Sequence, residues 1–361
     1  MESNITYESL FAFTKNCFLS MGCSNGDSIT AANSLIAADL SGVDSHGVAR
    51  LSGYVRLWES GRVNAKPNIR CIHETPSTGV VDGDAGLGLV VAPFAMALAM
   101  EKARNVGSGW VSVQNSNHFG IAGQYTLMAA DQDMIGIAMT NASALVAPTF
   151  AKERMLGTNP ISVAVPAGIQ PAFLADFATT TAANGKLELL QRAGKDIPGK
   201  WVQDQSGEIS FDAEGLKKGG AMLPLGSDPL HGSHKGFMLG SIVDIFSGVL
   251  SGANFGPWVP PFPAYVPMPQ NQPGKGIGHF FGAMRIDAFR PASDFKRDMD
   301  LWISRFRETA PIDSSQPVII PGDPEREARK ERLSNGIPLN PAVISDLNLL
   351  AEKMGISPLF L

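Results

Sequence analysis

The stretch Thr78-Gly79-Val80-Val81-Asp82-Gly83-Asp84-Ala85-Gly86-Leu87-Gly88 sets the reading of the fold. A strand-length apolar run, Gly79 to Val81, runs into a glycine-rich turn, and the apolar segment Leu89 to Met100 follows. That segment has twelve residues and contains Pro93, so it is too short to span a bilayer and reads as a core helix. The glycines fall as G-x-x-G-x-G, the reverse of the G-x-G-x-x-G spacing that brings a turn against a pyrophosphate. A strand-turn-helix unit without that fingerprint points to an α/β layer that would hold a dinucleotide, if it holds one, in another way.

Working outward, strand-length runs recur at Trp110 to Val113, Ile135 to Met139, Ile161 to Val165 and Ala172 to Leu174. Helical segments at Ala92 to Asn105 and Ile121 to Asp131 separate the first of these, but the later strands follow each other directly, which predicts a mixed sheet. Upstream, Tyr7 to Met21 carries Leu10, Phe13, Cys17 and Phe18 at helical spacing. Asp27 can cap a second helix closed by Gly42, and Asp44 a third running to about Ser60. Residues 185–233, rich in Gly, Lys, Asp and Ser, read as an irregular surface excursion before a long helix, His234 to Leu250. Pro257 to Gly278 holds seven prolines and reads as a loop or clamp with little to pack on within one chain. A last strand, His279 to Ile286, precedes helices at Asp294 to Thr309, Glu325 to Ser334 and Pro341 to Lys353. The expected division is an α/β domain over 76–289 and a helical domain built from 1–75 together with 290–361.

Composition narrows the function classes. With 17% charged residues and a net charge of −5, the chain lacks the basic surface that nucleic acid or an anionic membrane would need. Cys17, Cys23 and Cys71 form no C-x-x-C pair, which fits a reducing, cytoplasmic compartment rather than a disulfide framework. The start, Met1-Glu2-Ser3-Asn4, does not resemble a signal peptide.

Two segments offer chemistry. In Asp44-Ser45-His46-Gly47-Val48-Ala49-Arg50-Leu51-Ser52-Gly53-Tyr54, the spacing of His46, Arg50 and Tyr54 places them on one face of a helix. A 2-oxo acid needs a guanidinium fork for its carboxylate and a proton for the oxygen that gains hydride, and this row supplies both. The same row would also suit a solvated helix face. Asn115-Ser116-Asn117-His118-Phe119-Gly120 lies at the carboxyl end of a strand, where α/β proteins place ligands, and makes His118 a second acid–base candidate; alternatively it is a capping turn. Three clusters read as nucleotide contacts or as ordinary turns: Gly157-Thr158-Asn159-Pro160, Asp176-Phe177-Ala178-Thr179-Thr180-Thr181 with Lys186 soon after, and Gly232-Ser233-His234-Lys235-Gly236 at a helix start. His231 and His234 have no third ligand nearby in sequence, so no metal is expected.

Together these segments resemble the malate/L-lactate dehydrogenase family, which is unrelated to the Rossmann-type enzymes, from about residue 5 to the C-terminus. The shared elements are Asp44-Ser45-His46-Gly47, Asn117-His118-Phe119, Gly157-Thr158-Asn159-Pro160, Asp176-Phe177-Ala178-Thr179, His234-Lys235-Gly236 and Ser247-Gly248-Val249-Leu250-Ser251-Gly252. The resemblance implies a family-specific, non-Rossmann NAD(P)-binding α/β domain, a homodimer, and hydride transfer between NAD(P)H and C2 of a small 2-oxo or 2-hydroxy acid. It implies proton transfer by His46 or His118, His46 being placed ahead because Arg50 stands one helical turn away, with Lys186 as the next candidate. Ser45, Arg50 and Tyr54 would face the substrate, Arg50 holding its carboxylate. The cofactor would be lined by Thr158, Asn159, Pro160, Asp176, Phe177, Ala178, Thr179, His234 and Lys235. Gly322 and Asp323 resemble a segment that reaches the cofactor, where an acid would repel a 2′-phosphate and so favour NADH over NADPH. Phe177 stands where relatives often carry Met. The alternative is reduction of cyclic imino acids, or of a sugar-derived 2-oxo acid, in the same cofactor site. Lys186 occupies a position that looks acidic in the imine reductases, which tilts the reading toward a hydroxy acid.

Overall fold

The computed structural model describes residues 3–359, without the side chains of residues 3, 189, 192 and 193. The chain opens with β1 (Ser3–Ile5), α1 (Tyr7–Ser20), α2 (Asn25–Leu40) and α3 (Leu51–Glu59). Thr6 and Ser24 cap the first two helices by accepting the N–H groups of Ser9 and Asp27, so the second cap is Ser24, with Asp27 inside the first turn.

The continuous helix expected from Asp44 is not formed. Two 3₁₀ turns, Asp44–His46 and Val48–Arg50, meet at Gly47, and α-helix begins only at Leu51. The cause lies underneath. The buried Asp39 accepts the Val48 N–H at 2.9 Å. A Cβ on residue 47 would lie 1.9 Å from its Oδ1, so only glycine lets the chain pass over the carboxyl.

The central layer comprises β2 (Arg70–Glu74), β3 (Thr78–Asp82), α4 (Gly88–Val106), β4 (Ser108–Ser116), α5 (Gly123–Ala130), β5 (Met134–Thr140), β6 (Ile161–Val165) and β7 (Phe173–Phe177). Residues 185–233 are more regular than their composition suggests. They hold α6 (Asn184–Ala193) and a three-stranded sheet of β8 (Val202–Gln203), β9 (Ile209–Ser210) and β10 (Ala221–Met222), centred on a small core of Leu187, Ile197, Val202 and Met222 with Val146 and Leu156. Strands of two residues carry too little periodicity to be read from sequence. Then come α7 (Ser233–Asp244), continued by a π-helical turn at Ile245–Val249, and β11 (Ile277–Arg285), α8 (Ala292–Arg307), α9 (Asp323–Asn335), β12 (Ile337–Leu339) and α10 (Pro341–Met354).

The main sheet has the order β2-β3-β4-β11-β5-β6-β7 and is mixed, as expected: β3 and β4 are parallel, while β11 runs antiparallel to both β4 and β5. β11 therefore threads between two strands that precede it by far in sequence, and the carboxyl ends of β4 and β5 meet its amino end. The strand β2 escapes sequence reading because four of its five residues are exposed, leaving no apolar alternation. Helices α4 and α5 cover one core with Val111, Val113, Ala138 and Phe281. A second core gathers the N-terminal helices with β12 and α10 through residues such as Phe18, Leu35, Tyr54, Ile337 and Leu347. No helix among the described residues is long and apolar enough to cross a membrane.

Candidate active site

The ends of β4, β5 and β11 face the 3₁₀ turns across a cavity of about 70 Å³, lined by residues including His46, His118, Thr140, Asn141, Thr158, Pro160 and Phe262. The first two, 72 positions apart in sequence, stack with ring centroids 5.7 Å apart at 25°. Tyr54, fully buried, places its hydroxyl 2.7 Å from His118 Nδ1. The Gly120 N–H also donates to that nitrogen, at 3.3 Å. With two donors converging on Nδ1, the ring proton of neutral His118 belongs on Nε2.

Electrostatics keep both rings neutral. Burial, reinforced by the Arg50 charge, lowers His46 to about 4. Burial, then the neighbouring His46, Arg50 and His279, holds His118 well below the ordinary histidine range. Burial likewise pushes the Tyr54 hydroxyl well above its ordinary value, with Arg50 opposing. Ser45 Oγ lies 2.9 Å from His46 Nδ1.

Arg50 is beside this group rather than one α-helical turn from His46. Its Nε donates to the Ser45 carbonyl at 2.6 Å, its guanidinium carbon stands 5.9 Å from the centre of the Phe262 ring, and its Nη2 lies 3.5 Å from Glu188 of α6. The same helix carries Lys186, which is exposed, and packs closely enough that a Cβ on Gly185 would fall 2.7 Å from Ser45 Cβ.

The turns read as nucleotide contacts divide into frame and surface. Asn159 is fully buried; its Oδ1 accepts from Ala142 N–H and its Nδ2 donates to the Gly240 carbonyl of α7. Thr179 is also buried and donates to the Thr158 carbonyl through both N–H and hydroxyl. These bonds fasten the 158–160 turn, the β7 end and α7 to one another. Phe177 is exposed and Ala178 half-buried beyond them, while the Asp176 carboxylate accepts the Gly123 N–H at the start of α5 at 2.6 Å. His234 and Lys235 stand exposed in the first turn of α7. Gly322, with φ +97°, and Asp323 begin α9 against β7, where Leu174 N–H donates to the Pro321 carbonyl. The Asp323 carboxylate is fully engaged: Oδ1 accepts from Arg307 at 2.7 Å and Arg326 at 2.6 Å, and Oδ2 from the Ile320 N–H at 2.8 Å. Just before α7, His231 pairs with Asp228 at 2.6 Å, and among the described residues no three His, Cys, Asp or Glu side chains converge as metal ligands.

Several contributors were not read from sequence. Phe262 comes from the proline-rich loop, which does have a seat within its own chain: Pro260 and Pro261 are buried, and the Phe262 ring packs 4.8 Å from His118 and 5.2 Å from Tyr54. Gly53 makes room for it, since a Cβ there would meet the ring at 2.6 Å. His279, fully buried, ties β4 to β5 through Ser116 Oγ at 2.8 Å and Thr140 Oγ at 2.7 Å, and stacks on Phe119 at 4.7 Å. It lies inside an apolar strand, where nothing in sequence distinguishes it. Thr140 and Asn141 did carry a usable signal, because they end a strand as the 115–118 segment does.

The sequence pattern of the malate/L-lactate dehydrogenase family matches residues 5–348. The chain is 42% identical to a malate dehydrogenase of Pyrococcus abyssi over 98% of this chain and 96% of that one. An L-sulfolactate dehydrogenase of Methanocaldococcus jannaschii is 36% identical over 93% of each. The solved structure of malate dehydrogenase from Pyrococcus horikoshii superposes with a TM-score of 0.89 at 39% identity, covering 99% of this chain and 97% of that one. With a match across this length, the chain belongs to the malate/L-lactate dehydrogenase family.

Proposed function

We propose that this protein transfers hydride between a nicotinamide cofactor, NADH or NADPH, and C2 of a small 2-oxo or 2-hydroxy acid of the malate or lactate kind. Family membership makes it a hydroxy-acid oxidoreductase. The observation that carries the finer reading is the His118 environment: a half-buried, neutral imidazole with two donors on Nδ1 and its cavity face beside His46 and Phe262. When bound, the nicotinamide supplies the hydride. The residues present suit such a group: the 158–160 turn lines the cavity, is fastened to α7, and leaves Lys235 exposed at that helix's positive end to meet phosphate.

In reduction, Arg50 holds the carboxylate and turns C2 toward the hydride donor. His118 Nε2–H polarises the 2-oxo oxygen and gives it the proton as the alkoxide forms. The Tyr54 hydroxyl stays protonated and donates to Nδ1 throughout, fixing the ring and its tautomer, and the proton that leaves Nε2 is replaced from solvent through the cavity. His46, stacked on His118 with Ser45 on its Nδ1, shapes the pocket in this scheme. The preference for NADH rested on Asp323, and a carboxylate already held by two arginines is no basis for it.

Six apolar side chains of one helical stretch, Met238, Ile242, Ile245, Phe246, Val249 and Leu250, are exposed at helical spacing. A face of this kind supports a homodimer, to be checked by light scattering. The three free cysteines support a cytoplasmic location.

The test is oxidation of NADH and of NADPH by purified protein offered pyruvate, oxaloacetate, 2,3-diketogulonate and piperideine-2-carboxylate. Turnover confined to open-chain 2-oxo acids is expected. Turnover of the cyclic imine alone would replace this reading with an imine reductase.

A further inference from the structure

The Arg50 guanidinium is anchored at one end and loosely occupied at the other. Its Nε bond to the Ser45 carbonyl is short, 2.6 Å, and comes from its own turn of chain. The Glu188 contact is a single-point one at 3.5 Å between side chains a quarter and a third exposed. Glu188 is itself steered there, because Asn184 Nδ2 donates to the same Oε1 at 2.9 Å and α6 is seated on Ser45 through Gly185. A carboxylate on a flexible stem thus rests on the outer nitrogen of a fork whose orientation does not depend on it.

We propose that Glu188 is a built-in competitor for the substrate carboxylate: it occupies Arg50 when the site is empty, and the incoming acid must displace it. This deepens the reading above and rests on Arg50 as the carboxylate-binding residue. Loss of Glu188 leaves the Ser45 anchor in place and frees the fork for bidentate binding. It also removes a negative charge that repels an anion approaching the cavity. A single-point, partly exposed ion pair is weak, so the effect is bounded at about three- to fivefold in affinity. Because the competition is electrostatic, it fades with salt.

The test uses oxamate, an unreactive carboxylate analogue of a 2-oxo acid, titrated calorimetrically into the full-length protein with and without NADH. Glu188→Gln keeps the oxygen that Asn184 grips while removing the charge. It is expected to bind oxamate about three- to fivefold more tightly than the parent at low ionic strength, and equally at about 1 M salt, where charges are screened within about 3 Å. The KM for the 2-oxo acid should fall in parallel with kcat unchanged. In an Arg50→Lys background the same substitution should have a smaller effect, because the fork that Glu188 blocks is gone and only the charge of residue 188 still acts. Glu188→Asp, one methylene shorter, serves if the amide variant does not fold, and should tighten binding by a smaller factor. Unchanged or weaker oxamate binding in Glu188→Gln overturns the proposal. If Arg50→Lys alone weakens oxamate binding, that outcome leaves the Arg50 assignment standing; if it does not, both fall together.

Discussion

The two sides of this site are built differently. The histidine side is interlocked: His118 is held by Tyr54, Gly120, Phe262 and the stacked His46, and His279 ties the strand ends beneath it. The side assigned here to the cofactor has a buried frame, Asn159 and Thr179, but its charged groups His234 and Lys235 stand in solvent. The first side is pre-organised by packing, so each group there is coupled to its neighbours and costly to change. The second offers separate contacts whose individual weights are small until a ligand gathers them.

The largest effect expected from this contrast is at His118. Replacement by Ala should lower kcat by about a hundredfold or more with cofactor affinity kept, while His46→Ala should cost less than about tenfold. Steady-state kinetics beside cofactor titration would show it, and equal losses from the two variants would erase the distinction drawn between the rings.

Acid should loosen the interlocked side first. Burial lowers His46 to about 4 and His279 to about 3, both below the ordinary 6.5. Between those values the unfolded chain binds protons that the folded one refuses. Their contribution is therefore complete above about pH 6.5 and is lost as pH falls toward 4, at up to about 1.4 kcal/mol per pH unit for each ring. Asp39 has the opposite sign: burial raises it from 3.8 to about 8, so its contribution is fully present below the lower value and is lost progressively as pH rises to the upper one. Urea unfolding from pH 4.5 to 9 should give a stability curve that peaks near about pH 6.5, and Asp39→Asn, which can still accept the Val48 N–H, should remove the fall between about pH 6.5 and 8 and steepen the rise below it.

Arg50→Lys probes the border between the two sides. It keeps the charge but loses the fork, and should lower kcat/KM for the acid by about tenfold, roughly 1.4 kcal/mol, mainly through KM. The smallest effect belongs to the exposed side. Lys235→Ala should weaken cofactor binding by no more than about fivefold, the size of one solvent-exposed charge contact, with kcat at saturation unchanged. A hundredfold loss there would mean that the cofactor buries Lys235 and that this side is as interlocked as the other.

How much of this was legible beforehand depended on range. The strands at 78–82, 108–116, 134–140 and 161–165, the helices around them and the mixed character of the sheet follow from local periodicity, because apolar spacing along the chain is a property of neighbours. The segments holding His46 and His118 were also legible, as polar clusters near a helix start and at a strand end. The spatial relation within the first was misread: an α-helical row was expected where Gly47 breaks the chain into two 3₁₀ turns. Its cause, the carboxyl of Asp39, lies eight residues away on another helix and leaves no mark on local spacing.

Sequence by itself therefore determined the layer architecture, the family and the chemical types available at the site. Tertiary structure alone decided which of them meet. It set His46 against His118, aimed the Tyr54 hydroxyl at Nδ1, laid Phe262 over Gly53, and passed Arg50 to Glu188. It also inserted β11 between β4 and β5, bringing His279 under the pocket from more than a hundred residues away. The physical reason is that spacing fixes the face a residue presents, whereas contact, burial and protonation state depend on what packs against that face from distant parts of the chain.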